Sequence, residues 1–310
     1  MRENRFQINV ATGRMTLPVA ILFCLTIWIV SLDSWKDLGT LGITVLTGYL
    51  MIETNTAFSL IRTRTSLPVS IYWCLFSALV FLHTFEWNCF TPLAFLLAVV
   101  HLYRSYESPY ASANIFHAFF FLSLGSLAFP QLLFFAPIFL FSTFNFRSLS
   151  PKSFFAGLLG IATPYWLLFG YAYWNDDIPL VLAPLQELFH FQAIEYSLIP
   201  LYRWISWGFV SLLFIITGIH YSQVSYQDKT RTRIYMTFLI VTGCWATLIT
   251  LLQPQHLHPL LPVQLICTSF LAAHLFTLTR NRFSSIFFIV TFVGSIFLTG
   301  YNLWMQFFNF

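Results

Sequence analysis

Apolar residues in this chain come in long unbroken runs, and polar residues are confined to the short stretches between them. The segment Asn114–Tyr171 sets the pattern. It holds three apolar runs separated by two marks, Phe129-Pro130 and the basic turn Asn145–Lys152. Period-two alternation is absent and no run there carries Asp, Glu, Lys or Arg, so each reads as a helix in an apolar surround rather than as a strand. The same logic places runs at about Thr16–Leu32, Leu41–Leu60, Leu67–His83, Cys89–Leu102, Leu201–His220, Ile234–Leu252, Leu260–Thr279 and Ser285–Phe307. Crossing a bilayer takes roughly 20 helical residues. Several runs are shorter and need a thin region or shielding neighbours. The expected fold is all-α: a polytopic transmembrane helix bundle of about 11 helices, one transmembrane domain over residues 1–310. The segment Trp174–Pro200 is too polar to span and too apolar for an open loop. Leu182, Leu185, Leu188 and Phe189 recur at helical spacing, which predicts a helix lying in the outer interface near residues 180–195.

Composition agrees with this pattern. Only 8% of the 310 residues are charged and 58% are hydrophobic, against roughly 25% charged in a soluble domain. There is too little charge to cover a water-facing surface. Four of the five cysteines (Cys24, Cys74, Cys244, Cys267) lie within apolar runs and only Cys89 is near a loop, so a disulfide framework is not expected. The basic N-terminus precedes an apolar run as a signal peptide does. Ser31-Leu32-Asp33 offers no small-x-small cleavage site, and the run reads as a retained first anchor.

Charge placement fixes the expected topology. Numbering faces alternately from the N-terminus puts 13 of the 15 Lys and Arg on one side, from Arg2, Arg5 and Arg14 through Arg62, Arg64, Arg104, Arg147 and Lys152 to Lys229, Arg231, Arg233, Arg280 and Arg282. Only Lys36 and Arg203 fall opposite. By the positive-inside rule the N-terminus is cytoplasmic and the C-terminus periplasmic. The net charge of +4 is then a topology signal, and a nucleic-acid partner is not expected.

Acidic residues and histidines gather on the other side. Asp33 and Asp37 lie four residues apart on the first outer loop and are candidates for acid/base work. Asp176 and Asp177, with His256 and His258, form a second outer cluster and are candidate binding residues, as is His190. His256 and His258 in a Pro-flanked turn are candidate metal ligands, a divalent cation being the cofactor such a set would hold. Glu53 lies about 10 Å inside a membrane helix, where an ionisable group is costly and marks a functional candidate. Asn55 and two threonines flank it. His117 and His274 are potential partners for Glu53, though spacing alone pairs neither with it. A His101, His117, His220 and His274 metal set is disfavoured, because no i, i+3 or i+4 relation connects them. Each candidate also has a plainer reading, as a solvated loop or a helix-locking contact.

Several stretches, among them Glu53–Pro68, Asn114–Phe139, Phe146–Trp166, Ser225–Tyr235, Leu252–Pro262 and Ala272–Arg282, resemble a family of multipass inner-membrane proteins of Bacteroidetes-type bacteria. The resemblance implies a bacterial inner membrane and no settled activity. More distantly, the short helix pair ending near Phe-Pro, the basic turn and the Gly-rich helix look like the membrane core of C-type glycosyltransferases. That resemblance implies sugars carried on polyprenyl phosphate and an outer-face carboxylate, here Asp33 or Asp37. The first outer loop is about seven residues long, where those enzymes carry a long one. The leading expectation is an integral protein of the cell envelope with a structural or accessory role. The alternatives are a glycosyltransferase-like handler of lipid-linked sugars, and a small-solute or ion transporter using Glu53. Expected partners are the lipid bilayer, and a polyprenyl-phosphate lipid or another envelope protein.

Overall fold

The computed structural model describes residues 5–190, 194–279 and 281–308. Among them there is no strand, and thirteen α-helices are joined by short turns. The chain divides into two compact units: Met1–Glu86 with Glu195–Thr250 and Pro254–Phe310, and Trp87–Ile194 with Leu251–Gln253. The first unit begins with α1 (Arg5–Thr12), α2 (Thr16–Ser31), α3 (Asp37–Phe58) and α4 (Leu67–Ala78). The second holds α5 (Thr91–Arg104), α6 (Ala111–Ser126), α7 (Ala136–Asn145), α8 (Pro151–Trp174) and α9 (Pro179–Phe189). The first then resumes with α10 (Leu201–Val224), α11 (Thr230–Leu252), α12 (Leu257–Leu278) and α13 (Arg282–Phe308).

Each of the eleven expected runs is a helix, and α9 is the twelfth, in the segment read as interfacial. Residues 191–193 of that segment lie outside the described residues. The thirteenth, α1, falls in the stretch read as a basic leader. Among the described residues, five segments are long and apolar enough to cross a membrane, those of α8, α10, α11, α12 and α13. α2, α4, α6, α7 and α9 are shorter. α3 has 22 residues, but Glu53, Asn55 and five threonines dilute its apolar character.

In the first unit α12 is the central post, buried along its whole apolar stretch. Four buried hydroxyls in the surrounding helices return to their own backbone. Thr44, Thr47, Thr242 and Thr250 each donate to the carbonyl four residues back, at 2.8–2.9 Å, so an apolar core carries them without orphaned donors. Hydrogen bonds sort the turns into two sets. At one end Gln7 Nε2 donates to the Phe276 carbonyl (2.7 Å) and Thr232 Oγ1 to the Ser59 carbonyl (3.4 Å). At the other, Phe85 N–H donates to Asp37 (3.0 Å), Asn302 Nδ2 to the Ala78 carbonyl (2.9 Å) and Gln306 Nε2 to Asp33 (2.9 Å). Arg14, Arg62, Arg64, Lys229, Arg231, Arg233 and Arg282 sit in or beside turns of the first set, the basic end. Lys36 and Arg203 sit at the opposite end. Arg2 and Arg280 lie outside the described residues.

In the second unit α6 and α8 pack closely through glycine. A Cβ at Gly160 would stand 2.5 Å from the Phe116 carbonyl oxygen. Phe95, Phe119, Phe135 and Phe139 form a core of edge-on rings 5.9–6.2 Å apart, a favoured aromatic geometry. Helix α8 starts from a capping box. The Ser153 N–H donates to Ser150 Oγ (3.1 Å), and the Ser150 N–H donates to Ser153 Oγ (2.7 Å). This unit also has a basic end, where Glu107 N–H donates to the Phe146 carbonyl (3.1 Å) and Arg147 pairs with Glu107 (3.1 Å).

Candidate functional site

At the basic end of the first unit the turn between α10 and α11 folds inward and buries Asp228. His274, on the central α12, donates Nε2–H to Asp228 Oδ2 at 2.9 Å, and both side chains are 1% exposed. Arg62, in the turn after α3, places Nε 2.9 Å from Oδ1, as an ion pair rather than an aligned hydrogen bond. The Tyr221 ring stands edge-on to His274, centroids 4.8 Å apart. One turn further along, His220 Nε2 and Thr279 Oγ1 share a hydrogen bond at 3.2 Å.

Electrostatics follow from this geometry. Burial pushes the Asp228 carboxyl up. The hydrogen bond from His274, the proximity of that ring and the Arg62 guanidinium outweigh burial and hold it below the ordinary carboxylate value. A carboxylate whose folded-state pKa is lowered stabilises the fold above its ordinary value, and that contribution disappears as pH falls through the folded value. The melting temperature of detergent-purified protein should therefore be level near neutral pH and drop once pH falls below about 3.8. Asp228→Asn should remove that part of the acid sensitivity.

This cluster is a clamp. It ties the turns after α3 and α10 to the fully buried α12. Among the described residues the buried His274 Nδ1 lacks a hydrogen-bond partner, so the imidazole is oriented by its carboxylate on one side only; the Tyr221 hydroxyl lies close to Asp228 and interacts with it. A carboxylate-imidazole pair can hold a proton, but no nucleophile stands against Nδ1. In sequence, His274 is one of two potential partners for Glu53, with nothing to pair them; in the structure its partner is Asp228. Glu53 is on the exposed face of α3, about 8 Å from the helix end at 1.5 Å per residue. Asn55 is buried beside it and holds the following turn, accepting from the Ile61 N–H (3.2 Å) and donating to the Thr65 carbonyl (3.4 Å).

At the opposite end Asp33 and Asp37 have different surroundings. Asp37 is buried, and its two oxygens accept the N–H groups of Ser34 (2.9 Å) and Phe85 (3.0 Å). As the first residue of α3 it ties down the turn that leads into the helix and fixes the turn after α4. Asp33 is exposed and accepts from Gln306. Asp37→Ala would orphan two N–H groups, at about 1–3 kcal/mol. Asp33→Ala should cost under about 0.5 kcal/mol, as surface changes do. Chemical denaturation of the two variants checks this difference.

His258 is held by one ring nitrogen, with Glu86 near the other but beyond hydrogen-bond distance. Nε2 is 3.1 Å from the Phe81 carbonyl and Nδ1 is 3.7 Å from Glu86. His256 heads α12 and is half-buried. Among the described residues, no three His, Cys, Asp or Glu come together as a metal-binding set. In the second unit Asp176 adopts φ +54° and ends α8: its N–H reaches the Tyr173 carbonyl (3.4 Å) and the Asp177 N–H reaches that of Ala172 (2.9 Å). This double bond pattern is a Schellman helix end. Asp177 and His190 are exposed, and α9 between them buries Val181 alone.

Sequence reasoning missed Asp228, Gln264 and Asn302. Asp228 is the one acid within a basic turn, and a lone opposite charge there was the available signal. Gln264 and Asn302 interrupt apolar runs. Gln264 joins α12 to Ser211 (2.9 Å) and Thr247 (3.1 Å), and Asn302 joins α13 to Ser206 (3.0 Å). Comparison with protein families, curated proteins and solved structures finds no match to this chain.

Proposed function

We propose that this chain is an integral multipass protein of the bacterial inner membrane with a structural or accessory role in the cell envelope, its basic N-terminal end cytoplasmic and its C-terminus periplasmic. The observation that carries the membrane topology is the sorting of turns in the first unit. The seven cations named above belong to one end and two to the other, as the positive-inside rule requires of alternating spans. Five long apolar helices supply the spans.

The accessory role is supported by how the polar groups are used. Asp37, Asn55, His258 and the Asp228-His274 pair are engaged in holding turns and helix ends. The transferase reading needs Asp33 or Asp37 at work on a polyprenyl-phosphate sugar; Asp37 already accepts two backbone N–H groups. The transport reading needs Glu53 inside a pathway, whereas it lies exposed on α3.

The test is genetic. Asp33→Asn and Asp37→Asn, each introduced at the native locus, should leave surface glycans unchanged at equal membrane protein level. Loss of a glycan at unchanged protein level would instead establish the transferase reading.

A further inference from the structure

The first unit contains an apolar groove of about 370 Å³ between α2, α4 and α13. Val19, Phe23, Ile71, Phe292 and Ile296 contribute to its walls, and Asn9 and Thr16 stand at its basic end. On α4 the lining runs from Leu67 to Leu75, and on α13 from Phe288 to Ile296. Eight residues of helix measure about 12 Å. One leaflet of hydrocarbon is roughly 15 Å deep. The groove therefore crosses most of one leaflet and stops, which suits a lipid chain and is too short for a spanning helix.

Its mouth is electropositive. α2, α4 and α13 all begin at this end of the unit, so the positive ends of three helix dipoles lie on the side of its mouth. Arg14 precedes Met15 of the lining, Arg64 lies three residues before Leu67, and Arg282 opens α13; all three are exposed. Their segments are tied together. Thr65 Oγ1 donates to the Ala11 carbonyl. Gln7 Nε2 donates to Ser284 Oγ (3.0 Å), and Ser285 Oγ donates to Gln7 Oε1 (2.7 Å). The one described acid in the turns of this end, Asp228, is already held by Arg62 and His274.

We infer that this groove is a specific site for an anionic glycerophospholipid of the leaflet at the basic end. One acyl chain lies between α2, α4 and α13, and the phosphate sits among Arg14, Arg64, Arg282 and the three helix N-termini. The inference rests on the membrane reading above. Failure of that reading shows separately, as full-length protein released from cells without detergent.

The experiment is native mass spectrometry of the full chain exchanged into mixed micelles of phosphatidylglycerol and phosphatidylcholine. One phosphatidylglycerol per chain should survive, preferred at least tenfold over phosphatidylcholine. Val19→Trp, at an exposed position on the groove wall, should cut retention at least tenfold while the melting temperature stays near the wild-type value. Arg14→Gln with Arg282→Gln should leave a lipid bound but reduce the head-group preference to within twofold. Equal retention of both lipids by the wild type, retention unchanged in Val19→Trp, or a dimer mass that Val19→Trp converts to monomer would overturn the proposal. The last result would assign the groove to a second copy of the chain. Should Val19→Trp fail to fold, the arginine pair alone decides: preference unchanged in that variant refutes the site.

Discussion

Asp228→Ala is expected to lower the unfolding free energy by about 3 kcal/mol, one of the two largest effects of a single substitution that this fold predicts. Removing one partner of a buried ion pair costs roughly 3–5 kcal/mol when the other charge stays buried. Two features of this clamp bring the figure toward the low end. The Arg62 side chain is 45% exposed and recovers water, and an imidazole left alone can remain neutral. What remains is His274, 1% exposed, with neither ring nitrogen hydrogen-bonded. Asp228→Asn keeps the shape and an acceptor, and should cost about half as much. Reversible unfolding in mixed micelles, followed by tryptophan fluorescence, orders the three proteins. Equal stability of wild type and Asp228→Ala would mean that the clamp contributes nothing.

Gly160→Leu should destabilise the second unit by about 3 kcal/mol or more, through the backbone rather than through charge. The first atom of any side chain at 160 meets the Phe116 carbonyl oxygen at 2.5 Å and the Phe120 nitrogen at 3.1 Å. Neither atom can swing away as a side chain end would, so α6 and α8 must separate. Small residues are what allow membrane helices to approach this closely, and overpacking a fitted contact costs 1–3 kcal/mol, occasionally more. Gly170 lies ten residues on in the same helix, with nothing within 4 Å of its Cβ position. Gly170→Leu should change stability by less than about 0.5 kcal/mol. The pair separates steric contact from any general cost of glycine loss in α8. Interhelical polar bonds rank lower. Membrane hydrogen bonds average about 0.6 kcal/mol, so Asn302→Leu should cost less than either change above.

Element positions were legible because the apolar runs are long and their punctuation is chemical. Ser150-Pro151 opens α8 where a cap and a first-turn proline predict it, and Pro130 separates α6 from α7. The errors have local causes. The sequence RFQINVAT of α1 has no apolar run to announce a helix, and Gln7 fixes it only through bonds to residues near 276–285. α4 was expected to reach His83 but ends at Ala78; a short 3-10 turn follows, and His83 stacks on Trp28 at 3.9 Å. α3 starts at Asp37 rather than Leu41; Asp37 is an acidic residue in the first turn, bonded to the Ser34 N–H of the preceding turn, and a purely apolar criterion overlooks it.

The clamp was hidden for a different reason. Asp228 lies 46 residues from His274 in the chain and much further from Arg62. No periodicity links such positions, and a charge in a polar turn reads as solvated until packing buries it. Asp33 and Asp37 look equivalent in sequence, yet one is exposed and the other capped by backbone, a difference made by Phe85 from a distant turn.

The most direct test of the whole account is accessibility of single cysteines from each side of the membrane, in a chain whose five native cysteines are replaced by alanine. Lys36→Cys and Lys229→Cys place a thiol at exposed positions on opposite ends of the first unit. A membrane-impermeant maleimide should label position 36 in cells with a permeabilised outer membrane, and position 229 only in inverted inner-membrane vesicles. Labelling of both positions from the same side, or recovery of the protein in the soluble fraction, would contradict it.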